Sequence, residues 1–177
     1  PVIVAAIPAY NEEKTIGKVV LLAQKHVDRV LVCDDGSTDW TAEIAEKLGA
    51  DVVRHDKNCG YGAALQSLLR RAKELDADIM VTLDGDGQHE PDDIPALIRP
   101  VLEGVADVSI GSRFIKIAHV NDIPLYRRVG IEAITKLTRA ACSNYAISDA
   151  QSGFRAYNRK AMESLMLHEN GMGASVE

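Results

Sequence analysis

What most constrains the fold of this chain is an alternation that runs through its first hundred or so residues. A short, nearly continuous apolar run rich in β-branched residues is followed by a loop of small and acidic residues, then by a stretch with the spacing of an amphipathic helix. The runs Val2–Ile7, Arg29–Cys33, Asp51–Arg54, Ile79–Leu83 and Asp107–Ile110 read as strands, separated by helices over Glu12–His26, Thr41–Leu48, Tyr61–Leu75 and Asp92–Glu103. Strands apolar on both faces suit a sheet covered on both sides, so the pattern predicts an α/β fold with a mostly parallel sheet and helices on both faces. Beyond Phe114 the alternation gives way to a polar loop, a helix around Tyr126–Ala141 and a short strand near Phe154–Tyr157. With 177 residues, 46% of them hydrophobic, the chain has material for one compact domain and none for a second. It begins at Pro1 and stops at Glu177 without a helix-ending signal, as a piece of a longer protein would.

Charge and cysteine usage narrow the function classes. Twenty basic against 26 acidic residues leave a net charge of -6, which argues against a broad nucleic-acid footprint and means that an anionic ligand must be held locally. Cys33, Cys59 and Cys142 have spacings that match neither a zinc motif nor a disulfide framework, and they point to a reducing compartment, with Cys33 read as a core residue. No run approaches the ~18 apolar residues of a membrane span, and the N-terminus lacks a secretory signal. A cytoplasmic location is therefore expected.

In open α/β sheets ligands bind beyond the carboxyl ends of the strands, and here those positions are acidic. Asp84-Gly85-Asp86 directly follows the fourth run, with Gln88 two residues later. Two carboxylates one residue apart at a strand end repel each other unless a cation lies between them. Mg2+ or Mn2+ takes such oxygen ligands and keeps positions for water and phosphates, so this pair implies a phosphate-bearing ligand. Turn residues, with Gly85 and Gly87 supplying unusual backbone angles, are the plainer reading of the same segment. The second acidic segment, Asp34-Asp35-Gly36-Ser37-Thr38-Asp39, ends one strand and begins a helix. Ser37, Thr38 or Asp39 is expected to cap that helix, whereas Asp34 and Asp35 exceed what capping needs and are placed to accept hydrogen bonds from a base or ribose. A glycine-rich dinucleotide fingerprint is missing after the first strand, where Pro8-Ala9-Tyr10-Asn11-Glu12-Glu13 stands, so a dinucleotide oxidoreductase is not expected.

Six ordered blocks together resemble glycosyltransferase family 2 on a GT-A fold: Pro8–Glu13, Asp34–Asp39, Asn58–Gly62, Asp84–His89, Gly111–Phe114 and Ser152–Arg155. The likeness is greatest to the dolichyl-phosphate mannose synthase and polyprenyl-phosphate sugar transferase group. That resemblance implies a Rossmann-like nucleotide-binding half over about residues 1–112 and an acceptor-side half over about 113–177. It implies nucleotide contacts from Pro8, Ala9, Tyr10, Glu12, Asp34, Asp35 and Asp84, and a metal on Asp84, Asp86 and Gln88 that bridges the donor diphosphate. Arg113, with Arg127 and Arg128, would clamp an acceptor phosphate through forked donors, a solvated helix face being their plainer reading. Arg155 reads as a structural ion-pair partner, and His89 receives no role. Trp40 and Tyr61 stand where related sequences differ, which leaves the base and sugar open.

The reaction so implied is an inverting displacement at the anomeric carbon of a nucleotide-diphosphate sugar, with Asp86 and Arg113 among the catalytic residues. A polyprenyl phosphate acceptor is already ionised at neutral pH; a hydroxyl acceptor needs a carboxylate base, for which Asp149 and Glu177 are the candidates. The expected setting is the cytoplasmic face of a membrane, with a nucleotide sugar and a lipid phosphate as partners, no nucleic acid, and the oligomeric state, a homo-oligomer included, left open. Sugar nucleotidyl transfer and a non-catalytic nucleotide-binding module are the competing readings. The first lacks its glycine-rich basic loop after strand one, and the second does not account for Asp84, Asp86 and Arg113.

Overall fold

A computed structural model of the protein describes residues 1–111 and 153–172. In chain order its elements are β1 (Ile3–Ala9), α1 (Ile16–Ala23), β2 (Arg29–Asp34), α2 (Thr41–Lys47), β3 (Asp51–Arg54), α3 (Tyr61–Glu74), β4 (Ile79–Thr82), a 3-10 turn (Pro91–Asp93) leading into α4 (Ile94–Leu102), β5 (Val108–Ile110), β6 (Arg155–Asn158) and α5 (Arg159–Met172). The strands form one sheet in the order β3-β2-β1-β4-β6-β5. The first four are parallel neighbours. β6 enters between β4 and β5 and runs antiparallel to both.

The near-continuous apolar runs are explained by burial on both faces. Alternate residues of each central strand serve opposite layers, as the two-residue period of a strand requires. Ala5, Ile7 and Ala9 of β1, Val30 and Val32 of β2, and Ile79 and Val81 of β4 pack with Ile16, Val19, Val20 and Ala23 of α1 and with Ile94, Leu97, Ile98 and Val101 of α4. Val4, Ala6, Leu31, Cys33 and Met80 face the other way, against Ala64, Leu68, Leu69 and Ala72 of α3 and Met162 of α5. The α/β class with helices on both faces is thus realised, and Cys33 is a fully buried core residue.

Two local expectations are corrected. Helix α1 begins at Ile16 rather than Glu12. The intervening residues are drawn into a loop whose successive backbone N–H groups bond to side chains across the fold: Asn11 to Ser37 Oγ at 2.9 Å, Glu12 to Thr41 Oγ1 at 2.8 Å and Glu13 to Asp39 Oδ2 at 3.1 Å. Asn11 adopts a left-handed backbone, φ 53°, and its side-chain oxygen accepts the Thr38 N–H at 2.9 Å. The segment Ser37–Asp39 therefore does more than cap α2. Asp39 accepts the Thr41 N–H at the helix start, while its second oxygen and Ser37 hold the Asn11–Glu13 loop.

The strand order creates a switch point. From β1 the chain steps outward to β2 and β3, then returns to place β4 on the other side of β1, so the loops after β1 and β4 diverge around a crevice at the carboxyl end of the sheet. A second close approach lies between the loop after β2 and the one before α3. Gly36 has φ +74°, and a Cβ there would stand 2.4 Å from the Lys57 carbonyl carbon and 2.7 Å from the Asn58 nitrogen.

Because both obstacles at Gly36 are backbone, Gly36→Ala is expected to cost about 2–5 kcal/mol of stability, the sum of left-handed strain and overpacking. Gly62→Ala, in the first turn of α3 with nothing within 4 Å of the added carbon, is expected to be neutral or to stabilise by up to about 1 kcal/mol. Urea unfolding of the two variants checks the pair; equal destabilisation would contradict the loop packing.

Candidate active site

The crevice is built from strand ends. Pro8 and Ala9 close β1 and are buried, after which Tyr10 turns outward, 45% exposed. On the other side Leu83 is the last fully buried residue of the β4 run, and the chain then exposes Asp84 and Asp86 in part. The two sides meet at Gly85: a Cβ there would be in ordinary contact, 3.4 Å from the Pro8 carbonyl oxygen, 3.4 Å from Ala9 Cβ and 3.5 Å from Glu12 Cγ. Six positions read from the sequence, Pro8, Ala9, Tyr10, Glu12, Asp84 and Asp86, thus belong to two loops in direct contact. Glu12 Oε2 accepts the Thr15 hydroxyl at 3.1 Å, which fixes its carboxylate beside this contact.

Asp84 is roofed by the second part of the chain. The Thr82 hydroxyl donates to the Gly153 carbonyl at 2.7 Å, and a Cβ on Gly153 would stand 2.5 Å from Asp84 Oδ2 and 2.7 Å from Oδ1. Phe154, which follows, receives the Gly111 N–H on its carbonyl oxygen at 2.8 Å and stacks on the ring of His89, centroids 5.3 Å apart. His89 is 7% exposed at its side chain, with Nδ1 3.6 Å from Asp84 Oδ2. Sequence reasoning gave His89 no role, yet it sits between the carboxylate and the aromatic roof; its position at a helix approach offered no local sign of this. Asp86 accepts the Gln88 N–H at 2.9 Å, so the turn that carries the carboxylate pair closes on itself. The donor set Asp84, Asp86 and the Gln88 amide oxygen consists of hard oxygens at a rim open to solvent, which fits Mg2+ or Mn2+ with positions left for other oxygens. Tyr61 at the start of α3 lies within the electrostatic reach of this pair: its own burial and the negative charge of Asp84 raise its hydroxyl pKa.

The second acidic segment is organised around Asp35, which is only 4% exposed. Oδ1 accepts the Cys59 N–H at 2.9 Å and bonds to His55 Nδ1 at 2.6 Å, and Oδ2 accepts the Gly60 N–H at 2.8 Å. Burial pushes the carboxyl pKa up, but the Cys59 N–H, the His55 ring and the Gly60 N–H together outweigh it and hold it below the ordinary range. Asp35 is therefore a carboxylate that fastens the Asn58–Gly62 loop to the end of β2. His55, which follows β3, went unnoticed in the sequence; its other ring nitrogen meets Ser67 Oγ of α3 at 2.8 Å. Asp34 is buried as well and accepts the Ser37 N–H at 3.3 Å. The arrangement brings Asp35 and the glycine loop to the same end of the sheet as the β1–β4 crevice, whereas Arg113, Arg127, Arg128 and Asp149 lie outside the described residues.

Comparison with known proteins agrees with this architecture. Residues 4–166 match the family model for Glycosyl transferase family 2. The chain is 36% identical over 90% of its length to the UDP-N-acetylglucosamine--dolichyl-phosphate N-acetylglucosaminyltransferase of Methanococcus voltae, covering 70% of that protein. It is 31% identical over 97% of its length to the dolichol-phosphate mannosyltransferase of Pyrococcus furiosus, covering 50% of it. Among solved structures it resembles the glucosyl-3-phosphoglycerate synthase of Mycobacterium tuberculosis in complex with Mn2+, UDP-glucose and phosphoglyceric acid, with TM-score 0.68 and 28% identity over 90% of this chain. The chain spans 57% of that structure's length. A family match across nearly the whole chain shows that the chain belongs to glycosyltransferase family 2.

Proposed function

We propose that this protein transfers a sugar from a nucleotide-diphosphate donor to a polyprenyl or dolichyl phosphate, with inversion at the anomeric carbon. The observation that carries the reading is the approach of Pro8–Glu12 to Asp84-Gly85-Asp86 across Gly85, which brings the segments this reading assigns to nucleotide and to metal together. Relatives named for dolichyl-phosphate transfer supply the acceptor class. The similar mycobacterial synthase, in its complex with Mn2+ and UDP-glucose, supports a nucleotide-sugar donor and a divalent metal.

In this reading Pro8, Ala9, Tyr10 and Glu12 line the nucleoside, and Asp34 and Asp35 hold the loops that border it. Asp84, Asp86 and Gln88 would hold Mg2+ or Mn2+, which supplies neutralisation of the charge that grows on the departing diphosphate. Asp84 keeps its orientation because Gly153 and His89 close over it. Arg113, together with Arg127 and Arg128, is assigned to the acceptor phosphate, with Asp149 left as the base that a hydroxyl acceptor would require. A phosphate oxygen already carries its charge at neutral pH, so the favoured reading asks no side chain to remove a proton. No helix among the described residues is long and apolar enough to cross a membrane. The lipid phosphate would thus be met at the membrane surface, its cytoplasmic face in this proposal.

Asp86→Ala is expected to abolish Mn2+-dependent nucleotide affinity, a loss of at least about tenfold, or about 1.4 kcal/mol, with the thermal midpoint nearly unchanged because Asp86 is no core residue. Calorimetric titration of UDP and GDP with and without Mn2+ reads this; wild-type affinity in the variant removes the metal from Asp86.

Arg113→Ala is expected to lower acceptor efficiency by roughly ten- to a hundredfold, or about 1.5–3 kcal/mol, while donor KM stays near its original value. Arg113→Lys should recover part of the loss, since an ammonium keeps the charge and loses the fork. Kinetics with each substrate varied, beside a thermal melt, decide the assignment: a lowered melting point with unchanged acceptor dependence takes Arg113 out of the site. A matched assay with a saccharide in place of the lipid phosphate separates the acceptor classes.

A further inference from the structure

Asp35 follows β2, and His55 and Cys59 stand at the two ends of the loop between β3 and α3, yet they bring a carboxylate oxygen, an imidazole nitrogen and a thiol within 4.8 Å of one another. Among the described residues no other three His, Cys, Asp or Glu side chains gather their donor atoms so closely. We propose that these three residues form a binding site for Zn2+, separate from the all-oxygen pair Asp84 and Asp86 and different from it in chemistry. The cysteine spacing excluded a zinc motif in the sequence; here the ligands are assembled by the fold and no motif is needed.

Oxygen, nitrogen and sulfur together suit a borderline-soft ion such as Zn2+ and not Mg2+, and three protein ligands leave a fourth tetrahedral position for water. The surroundings favour the same ion. Histidines that ligate zinc are held through their other ring nitrogen, and His55 Nε2 meets Ser67 Oγ at 2.8 Å while Nδ1 faces Asp35. Asp35 is held likewise, its Oδ2 accepting the Gly60 N–H while Oδ1 faces the site. Access is open as well: Cys59 is exposed, so an ion can reach buried Asp35 along its side chain. Cys33 is no fourth ligand. Its sulfur lies 3.6 Å from Nε2, the wrong side of the ring, and burial above all, then the charges of Asp35 and Asp34, push its thiol up to about 12.

In the metal-free protein His55 Nδ1 and Asp35 Oδ1 are hydrogen-bonded across 2.6 Å. When the cation enters between them, the ring proton passes to Nε2, where Ser67 Oγ accepts it, and the Cys59 thiol gives one proton to solvent. Metal bonds of about 2.0–2.3 Å widen the gap between Nδ1 and Oδ1, and the Asn58–Gly62 loop, fastened to Asp35 through the Cys59 and Gly60 N–H groups, shifts with it. If Asp35 borders the nucleoside, as proposed above, zinc then opposes donor binding; the ion site itself does not depend on that reading.

The test uses the intact protein without nucleotide. Titration with Co2+ is expected to give a thiolate-to-cobalt charge-transfer band in the near ultraviolet, which Cys59→Ser abolishes. Competition with a chromogenic chelator is expected to show Zn2+ affinity lowered at least about tenfold by Cys59→Ser or His55→Gln, and about tenfold or more by Ser67→Ala with the band retained. Asp86→Ala is expected to leave both signals intact, which separates this site from the metal proposed for the donor phosphates. No cobalt–thiolate band, a band unchanged in Cys59→Ser, or Zn2+ binding lost in Asp86→Ala would each overturn the proposal. Cys59 is exposed and its side chain fills no core space, so the serine variant is expected to melt with the parent protein.

Discussion

The carboxylate of Asp35 is the knot on which the carboxyl end of the sheet at β2 and β3 depends. It is buried, and its charge is tolerated there because both oxygens are occupied by the Cys59 and Gly60 N–H groups and the His55 ring. Through those bonds the ends of β2 and β3 and the loop before α3 become one body, and Ser67 extends the connection into the helix itself. Removing one partner would leave a buried charge short of donors, the costly direction for such a group.

A second principle of assembly is the absence of side chains at the points of contact. Gly36 lies against the backbone of Lys57 and Asn58, Gly85 against Pro8 and Ala9, and Gly153 against the carboxylate of Asp84. At Gly36 and Gly153 two segments of distant sequence come closer than a Cβ would permit, while at Gly85 a Cβ would be in ordinary contact. The approach of these segments thus depends in part on residues that present no chemistry of their own.

Much of this was legible in the sequence because it is written locally. Apolar runs such as Ile79–Leu83 announce strands buried on both faces, and the acidic segments after them mark the ligand end of an α/β sheet. What was illegible depends on partners far along the chain. The start of α1 is delayed to Ile16 by side chains of Ser37, Asp39 and Thr41, which leave no trace in the periodicity around Glu12. His89 looked isolated and His55 drew no notice because their partners, Phe154 and Asp35, lie outside any local window. Nor does the short run near Phe154 say that it pairs antiparallel with β4 and separates that strand from β5.

That last pairing bears on how the chain comes to fold. β4 needs a neighbour on each side: β1 is at hand as soon as β4 is made, but the other side waits for Arg155–Asn158. The Thr82 hydroxyl reaches Gly153 over a separation of 71 residues. During synthesis the open edge of β4 is therefore exposed while the intervening chain emerges, and an uncovered hydrophobic strand invites pairing with other chains. Closing so long a loop also costs entropy before any contact repays it. Because the same docking places Gly153 over Asp84, the carboxylate pair acquires its roof only when β6 joins the sheet, and a chain that lacks this pairing carries the parallel strands with an unfinished crevice.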